Sequence, residues 1–564
     1  MTEPDWIVLA LCLIGTLAAG LYLSRLVKTS NDLFAAGGQS PWWLSGLSAF
    51  MTMFSANTFV VWGGIAYQYG LVAVTINLCY GVAAIAAGYT VAGRWKSLGI
   101  RTPAEYIERR FGRPALHFYT WFMMAFRIVG TGGALYAIST LILAVIGDQN
   151  LVFSPTALNS AIVIFAIIII VYTMIGGLWA VLVTDTLQFI ILNLAVLFVI
   201  PLALVGVGGL DGVVAGLPEG FLQLTSRRFS WLFLVGWVAI HYFMIGAEWA
   251  FVQRYLCVPT PKDARKSTFL FGGLYLFSPF LWLLPPLLWR IHSPIPAGAD
   301  AATITRLAET AYIVSCKAFL PAGMLGLMIA ALFSATASMI SSQLNVFSGV
   351  LTENIYRPLA RNPSDQRLLF MGRLFTCLLG LVVMAIAMAT PALGGAAKLI
   401  ISVTELMVTP LLAPVLVALF VPRLGASAIW ITVGVCFPLG LVVRFTDWIA
   451  GTPLANTTVT GVILPLAILG VLIRLAPARA THPANQPLAP ASTDGTSSAA
   501  TAGASRLPLR IVACCLGFCA LLLFGLTPIN PDHRTILTVF GLVLALLTYF
   551  ATASSRQPVL RAST

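Results

Sequence analysis

Apolar residues run along this chain in long blocks separated by short polar loops. A block of about 20 residues, wound as a helix, covers a hydrocarbon core about 30 Å thick. About 15 blocks meet that length. They fall near 6–26, 42–66, 71–92, 115–146, 158–178, 183–209, 230–252, 268–290, 312–345, 370–391, 397–421, 426–446, 456–474, 509–529 and 534–551. The pattern predicts an all-α polytopic membrane protein. The acidic leader Met1–Asp5, with no small-residue cleavage site after it, marks the first block as a spanning helix rather than a removable signal.

The blocks group. The second to sixth occupy 42–229 and the seventh to eleventh occupy 230–421. Five is odd, so the second group enters the membrane inverted relative to the first. Inverted repeats of this kind are the usual architecture of secondary transporters, with sites near the midplane where helices break. Residues 1–41 read as an extra helix and inner loop, 422–475 as additional core helices and 509–564 as a C-terminal helical hairpin. Between these, 476–508 is rich in Ala, Pro, Ser and Thr and reads as a disordered cytoplasmic linker.

Composition agrees. The 564 residues are 59% hydrophobic and only 9% charged, against roughly 25% in soluble proteins. The net charge of +13 would suit nucleic acid, but its placement argues for a bilayer instead. Arg94, Lys96, Arg101, Arg109, Arg110 and Arg113 fill one loop; Arg254, Lys262, Arg265 and Lys266 a second; Arg357, Arg361, Arg367 and Arg373 a third. The loops between them are nearly free of Lys and Arg, with Arg227 and Arg228 the exceptions. Lys and Arg gather on the cytoplasmic side, which places Met1 outside and the C-terminus, with Arg556 and Arg561, inside a cell (inner or plasma) membrane. The nine cysteines show neither zinc spacing nor a secreted disulfide framework and read as small apolar packers.

Two inner loops carry helix starts. "TPAE" offers Thr102 as cap, Pro103 as first helical residue and Glu105 three after the cap; "TPKD" repeats the device at Thr260. The short basic helix after Thr102 is expected at the membrane surface. "GTGGAL" at Gly130–Leu135 lacks the preceding strand of a dinucleotide loop and reads as small-residue helix packing. The five histidines include no HExxH spacing, and no nucleophile–base pair supports an enzyme.

Ionisable residues inside a membrane are expensive and usually functional. Here they are Arg127, Asp185, His241, Glu248 and Glu405, with Lys398 near a span end. Asp185 is either an interfacial carboxylate capping a helix start or one turn deeper. His241 and Glu248, seven apart, share a helix face. The stretch "SATASMISSQLN" at Ser334–Asn345 sets Ser338, Ser341, Ser342 and Asn345 on one face. A lone membrane serine often bonds its own helix or eases packing; a stripe of them gathers the oxygens a hard cation needs. "SAFMTMFSANTFVVWGG" puts Ser48, Thr52, Ser55, Asn57 and Thr58 in mid-span, and a break there would free carbonyls that an ion can satisfy.

At these residues the chain resembles the sodium/solute symporter family, which includes the sodium/proline and sodium/glucose cotransporters. "PWWLSGLSAFMTMFSANTF", "TPAEYIERRFG", "YTMIGGLWAVLVTDTLQ", "SATASMISSQLNVFSGVLTENIYRPL" and, more weakly, "VQRYL" carry the resemblance. It implies two inverted five-helix repeats of the leucine-transporter type with extra N- and C-terminal helices. It also implies a sodium site on the carbonyls of Met51, Phe54 and Ala335 and the hydroxyl of Ser338; a second hydroxyl position holds Met339, a poor sodium ligand. A second cation site found in some members maps onto Asp185, Ser338, Ser341 and Ser342. Candidate substrate residues are Ser55, Asn57, Thr58, Trp62, Glu248, Trp249 and Glu405, the two tryptophans being equally open to a packing role. Leu406 stands where the glucose-type members carry glutamine, which argues against sugar. Arg127 suits either a carboxylate substrate or an internal acid. The function implied is cation-coupled import of a small organic solute by alternating access. The coupling ion is sodium or a proton, and no cofactor or nucleic acid is involved. A transporter-like sensor is the alternative.

Overall fold

The computed structural model describes residues 1–24, 39–100, 102–146, 154–175, 178–360, 363–393, 395–446, 456, 458–476 and 506–556. Within them every apolar block carries helix and no strand occurs. The expected linker lies outside the described residues except at its ends, where helix already begins at Arg506. Nine described helices are long and apolar enough to cross a membrane, or eleven when each of two bent pairs counts as one span. Three shorter apolar helices, Pro155–Val171, Thr404–Ala418 and Val459–Leu475, fall in further blocks.

The helices, in chain order, are α1 (Glu3–Ser24), α2 (Trp42–Met53), α3 (Gly63–Tyr69), α4 (Val72–Ala87), α5 (Pro103–Phe111), α6 (Arg113–Ile146), α7 (Pro155–Ile175), α8 (Leu178–Gly206), α9 (Trp231–Ala247) and α10 (Trp249–Leu256). They continue with α11 (Pro261–Trp282), α12 (Leu284–His292), α13 (Ala301–Phe319), α14 (Met324–Val350), α15 (Asp365–Ala389), α16 (Gly395–Ala418), α17 (Ala426–Phe445), α18 (Leu464–Leu475), α19 (Arg506–Leu526) and α20 (Arg534–Arg556). Short helices also occur at Gly93–Ser97, Gly209–Gly216 and Arg357–Leu359. One expected block was misjudged. The span 312–345 joins the end of α13 to most of α14; the chain turns between them at Leu320–Gly323, where Gly323 takes a left-handed φ of 89°.

Each group of five opens on a broken helix. α2 and the segment Thr58–Tyr69 meet at 59°, and α9 and α10 meet at 51°. The backbone turns extended at Phe54 in the first break and at Glu248 in the second. Four helices, α2, α4, α9 and α11, pack on one another; α6, α7, α14 and α15 form a second packed set, with α8 bridging α2 and α14. Small residues permit the first packing: a Cβ on Gly46 would sit 2.7 Å from the Ser267 carbonyl, and one on Gly81 would sit 2.8 Å from Leu276.

Both sequence-predicted helix caps are present: Thr102 accepts from Glu105 N at 3.2 Å and Thr260 from Asp263 N at 3.1 Å. The apolar face of α5 closes on protein, with Tyr106 against Trp95 and Arg110 buried. The Arg110 guanidinium donates to the carbonyls of Val421 (3.3 Å), Pro422 (2.7 Å) and Leu424 (2.9 Å), so this cation ties α5 to the turn after α16.

Glu309 was not singled out from the sequence, yet it is buried on α13. It accepts from Tyr136 Oη on α6 at 3.2 Å and from Ala396 N in the first turn of α16 at 3.1 Å. Glu309→Leu strands both donors and is expected to cost about 2 kcal/mol. Glu309→Gln, which keeps an acceptor, costs clearly less. Thermal unfolding of the two variants measures the difference.

Candidate cation and substrate site

The first break lies against α14. Ala56 N donates to Thr336 Oγ1 at 2.9 Å, and Thr336 Oγ1 donates in turn to Leu332 O at 2.7 Å. The break thus meets α14 within one residue of Ala335. The other amides close locally: Phe54 N on Met51 O (3.1 Å), Thr58 N on Ser55 O (2.9 Å) and Asn57 N on Ser55 Oγ (3.3 Å). Met51, Phe54 and Ala335 are all buried.

A polar cluster sits one turn away. Asp185 is buried about two turns into α8, not at its start, which removes the interfacial-cap reading. Ser338 donates to Asp185 Oδ1, and Ser48 donates to Oδ2 at 2.5 Å. The fourth side is Arg254. It was expected in a solvated inner loop, but it is wholly buried on α10. Its Nε donates to Ser48 Oγ at 3.3 Å and its Nη2 to Ser342 Oγ at 3.1 Å, while Nη1 reaches Ala250 O (3.2 Å) and Gln253 Oε1 (3.0 Å). Of the four residues expected at a second cation site, Ser338 is therefore on the carboxylate, Ser342 on the guanidinium, and Ser341 turns back to its own helix at Ser338 O (3.3 Å). Helical spacing alone could not separate these three serines.

A cavity of about 100 Å³ adjoins the cluster. Ser55, Asn57, Thr58 and Trp62 line it, as expected from the sequence. The Asn57 amide, oriented to suit its neighbours, donates to Gly133 O (3.1 Å) and accepts from Ala134 N (3.2 Å), so it also joins the break to α6. Gln343 lines the cavity and was missed; it is buried and both its amide atoms are without a hydrogen bond. Met339 faces the cavity too, one residue from Ser338. From α16 the cavity sees Ile400 and Thr404. Leu406 is not among the residues lining this cavity and abuts the position of Gly440, where a Cβ would sit 2.1 Å away.

Arg127 and His241 also line this cavity, whereas Glu248, Trp249 and Glu405 do not. Glu248, at the second break, is fully buried and pairs with Arg127 of α6, Oε2 to Nη2 at 2.9 Å. The contact is close but off the hydrogen-bond direction, and neither Glu248 oxygen makes a hydrogen bond. Arg127 lines the cavity. His241 is not the partner of Glu248: its Nδ1 donates to Trp237 O at 2.8 Å, and its ring lies tilted between Tyr80 and Trp237. Trp249 is buried beside a separate cavity of about 40 Å³ with Gln253 and Glu353. Glu405 is half-buried and outside both cavities, with its carbonyl against Gly461.

The sequence and the fold have known counterparts. The model of the Sodium:solute symporter family matches residues 33–432. The chain is 27% identical to the sodium/glucose cotransporter of Vibrio parahaemolyticus over 470 residues, covering 78% of this chain and 85% of that one. It is 26% identical to the sodium/sialic acid symporter NanT of Aliivibrio fischeri over 397 residues, 67% of this chain and 75% of that one. Among solved structures, a Na⁺-coupled sialic acid symporter in a substrate-bound outward-open state superposes with a TM-score of 0.69 at 24% identity, over 85% of this chain and 99% of that one. Mhp1, a nucleobase-cation-symport-1 transporter, shares the fold at a TM-score of 0.52 and 14% identity, over 82% and 99%. The two broken helices opening two five-helix groups are thus the leucine-transporter-type fold, and the chain belongs to the sodium:solute symporter family of cation-coupled membrane transporters.

Proposed function

We propose that this transporter imports a small, neutral, polar solute through the cavity beside Trp62, driven by sodium bound between α2, α8 and α14. The observation that carries the reading is adjacency. Ser338 belongs to the Asp185 cluster and Met339, the next residue, to the cavity wall. On α2, Ser48 belongs to the cluster and Thr52, one turn on, to the cavity, with Thr52 Oγ1 donating to Ser48 O at 2.7 Å. An ion that orders these turns also shapes the solute site, which is the differential affinity that coupling needs. The sodium ligands are drawn from Met51, Phe54 and Ala335 carbonyls, Ser338 and Asp185. Both sites lie where the two packed helix sets meet, so rocking one set against the other exposes them to each side in turn.

The solute is inferred from the wall. Ser55, Thr58, Thr404 and Gln343 offer donors and acceptors, and Trp62 offers an apolar face. Arg127 already faces Glu248, so a carboxylate would have to displace an internal acid. The clustering of Lys and Arg in alternate loops supports basic loops on the cytoplasmic side, with Met1 outside.

The test is uptake into liposomes carrying the full chain. Glucose, myo-inositol, N-acetylneuraminate and proline are offered under an inward sodium gradient. Accumulation of a neutral polyol above its outside concentration, absent when potassium replaces sodium, is the expected result. Preference for N-acetylneuraminate would reverse the assignment of Arg127. Accumulation driven by a pH gradient without sodium would shift coupling to protons. Binding without any accumulation would make the chain a sensor.

A further inference from the structure

Among the described residues, no terminal element lines the cavity or hydrogen-bonds to the Asp185 cluster, yet two of them converge on the start of α14. That turn has no cap of its own: Gly323 at the N-cap has no side chain to accept from the free amides. Asp5 of α1 supplies one from outside the helix. Its Oδ1 accepts from Gly323 N at 2.8 Å and Gly326 N at 3.2 Å, while Oδ2 accepts from Thr2 N (2.7 Å) and Thr2 Oγ1 (2.8 Å). The approach is as close as backbones allow, since a Cβ on Gly326 would lie 2.0 Å from the Asp5 carbonyl oxygen. From the other side comes the turn of the α19–α20 hairpin. Asn530 Oδ1 accepts from Ala322 N at 3.0 Å and its Nδ2 donates to Ala322 O at 3.0 Å, so one side chain pairs with both backbone groups of the residue before the N-cap. Leu526 fills the space beside Gly323, where a Cβ would lie 2.5 Å from it.

We propose that Asp5 and Asn530 are positioning residues for the ion site, holding α14 at the tilt and depth its sodium ligands require. This rests on the reading of α14 as a ligand-bearing helix. α14 runs from Met324 to Val350 without proline, so it moves as a rod. Ser338 lies about 21 Å along it from Met324. At that distance a tilt of about 1° displaces the hydroxyl by about 0.4 Å, beyond the roughly 0.2 Å tolerated at a metal–ligand distance. The N-terminal helix and the C-terminal hairpin, which look like appendages in the sequence, thus set the geometry of the core.

The experiment uses the full chain in detergent and sodium chloride alone as ligand, with choline chloride keeping ionic strength constant. Half-saturating sodium is read from thermal stabilisation, and the sodium-free midpoint is read in the same series. Asp5→Leu and Asn530→Leu are each expected to raise half-saturating sodium at least fivefold, and the double variant further. Asp5→Asn, whose amide oxygen still accepts from both glycine amides, stays within twofold of the parent. If Asp5→Leu does not fold, Asn530→Leu and Asn530→Asp carry the comparison; Asn530→Asp loses the donor to Ala322 O. Lower sodium-free midpoints with unchanged half-saturating sodium would make the clamp merely structural and overturn the proposal. A parent protein that ignores sodium would instead remove the ion site itself, and the proposal with it.

Discussion

Replacing Glu248 with leucine lowers the unfolding free energy by about 3–5 kcal/mol. The change leaves Arg127 with its charge intact and its acid partner gone, at a site where the carboxylate is fully buried and the guanidinium largely so. Arg127→Met strands Glu248 in the same way. The double variant, Arg127→Met with Glu248→Leu, recovers most of the loss, because a buried ion pair gains little over apolar groups of similar size. A double-mutant cycle on unfolding midpoints should therefore return a coupling of at least about 2 kcal/mol. Singles that cost under about 1 kcal/mol, the range of solvated pairs, would show that water reaches the pair. The double variant also answers a question of function. If it folds but no longer discriminates among solutes, Arg127 acts at the cavity as well as on Glu248.

Asp185→Asn is expected to raise half-saturating sodium at least tenfold, a loss of about 1.4 kcal/mol or more of binding free energy. The amide keeps the shape of the site but removes the one formal negative charge that Ser48 and Ser338 surround. Ser338→Ala removes a neutral ligand and should cost less, in keeping with the greater strength of charge-assisted contacts. Ser341→Ala should leave sodium affinity unchanged, since that hydroxyl is spent on its own helix. The three variants form a ranked series in one assay. An Asp185→Asn protein with undiminished sodium affinity would place the ion at the first break alone, on carbonyls.

Much of this was legible in the sequence because the membrane makes simple demands. Apolar blocks had to be helices, and the caps at Thr102 and Thr260 are local signals that need no tertiary knowledge. Ser55, Asn57 and Thr58 stood out because polar residues in mid-span are costly, and with Trp62 they line the cavity. What failed depended on bends and on distant partners. Arg254 follows a block end in the sequence, so it looked solvated; the 51° break at Glu248 turns its helix back into protein. Glu248 and His241 share a helix face, but the acid's partner stands on α6, far away in sequence. Glu309 lies in an amphipathic helix, where an acid raises no suspicion until Tyr136 and Ala396 are seen around it. The turn at Leu320–Gly323 is apolar enough to vanish inside a hydropathy window.

The pairing of charges at the helix interface has an electrical consequence. Ionised Asp185 and Arg254 share one serine, and Arg127 faces Glu248, so these two clusters sum to zero when nothing is bound. The resting membrane potential then has no handle on them during the return of the empty carrier. A bound sodium adds one elementary charge, worth about 2.3 kcal/mol per 100 mV. Spent wholly on the solute, that work supports about 50-fold accumulation for each sodium before any concentration gradient is counted. With sodium bound as proposed, the expected result is transport current that rises with voltage in the loaded half of the cycle and an empty-carrier return that does not respond to it.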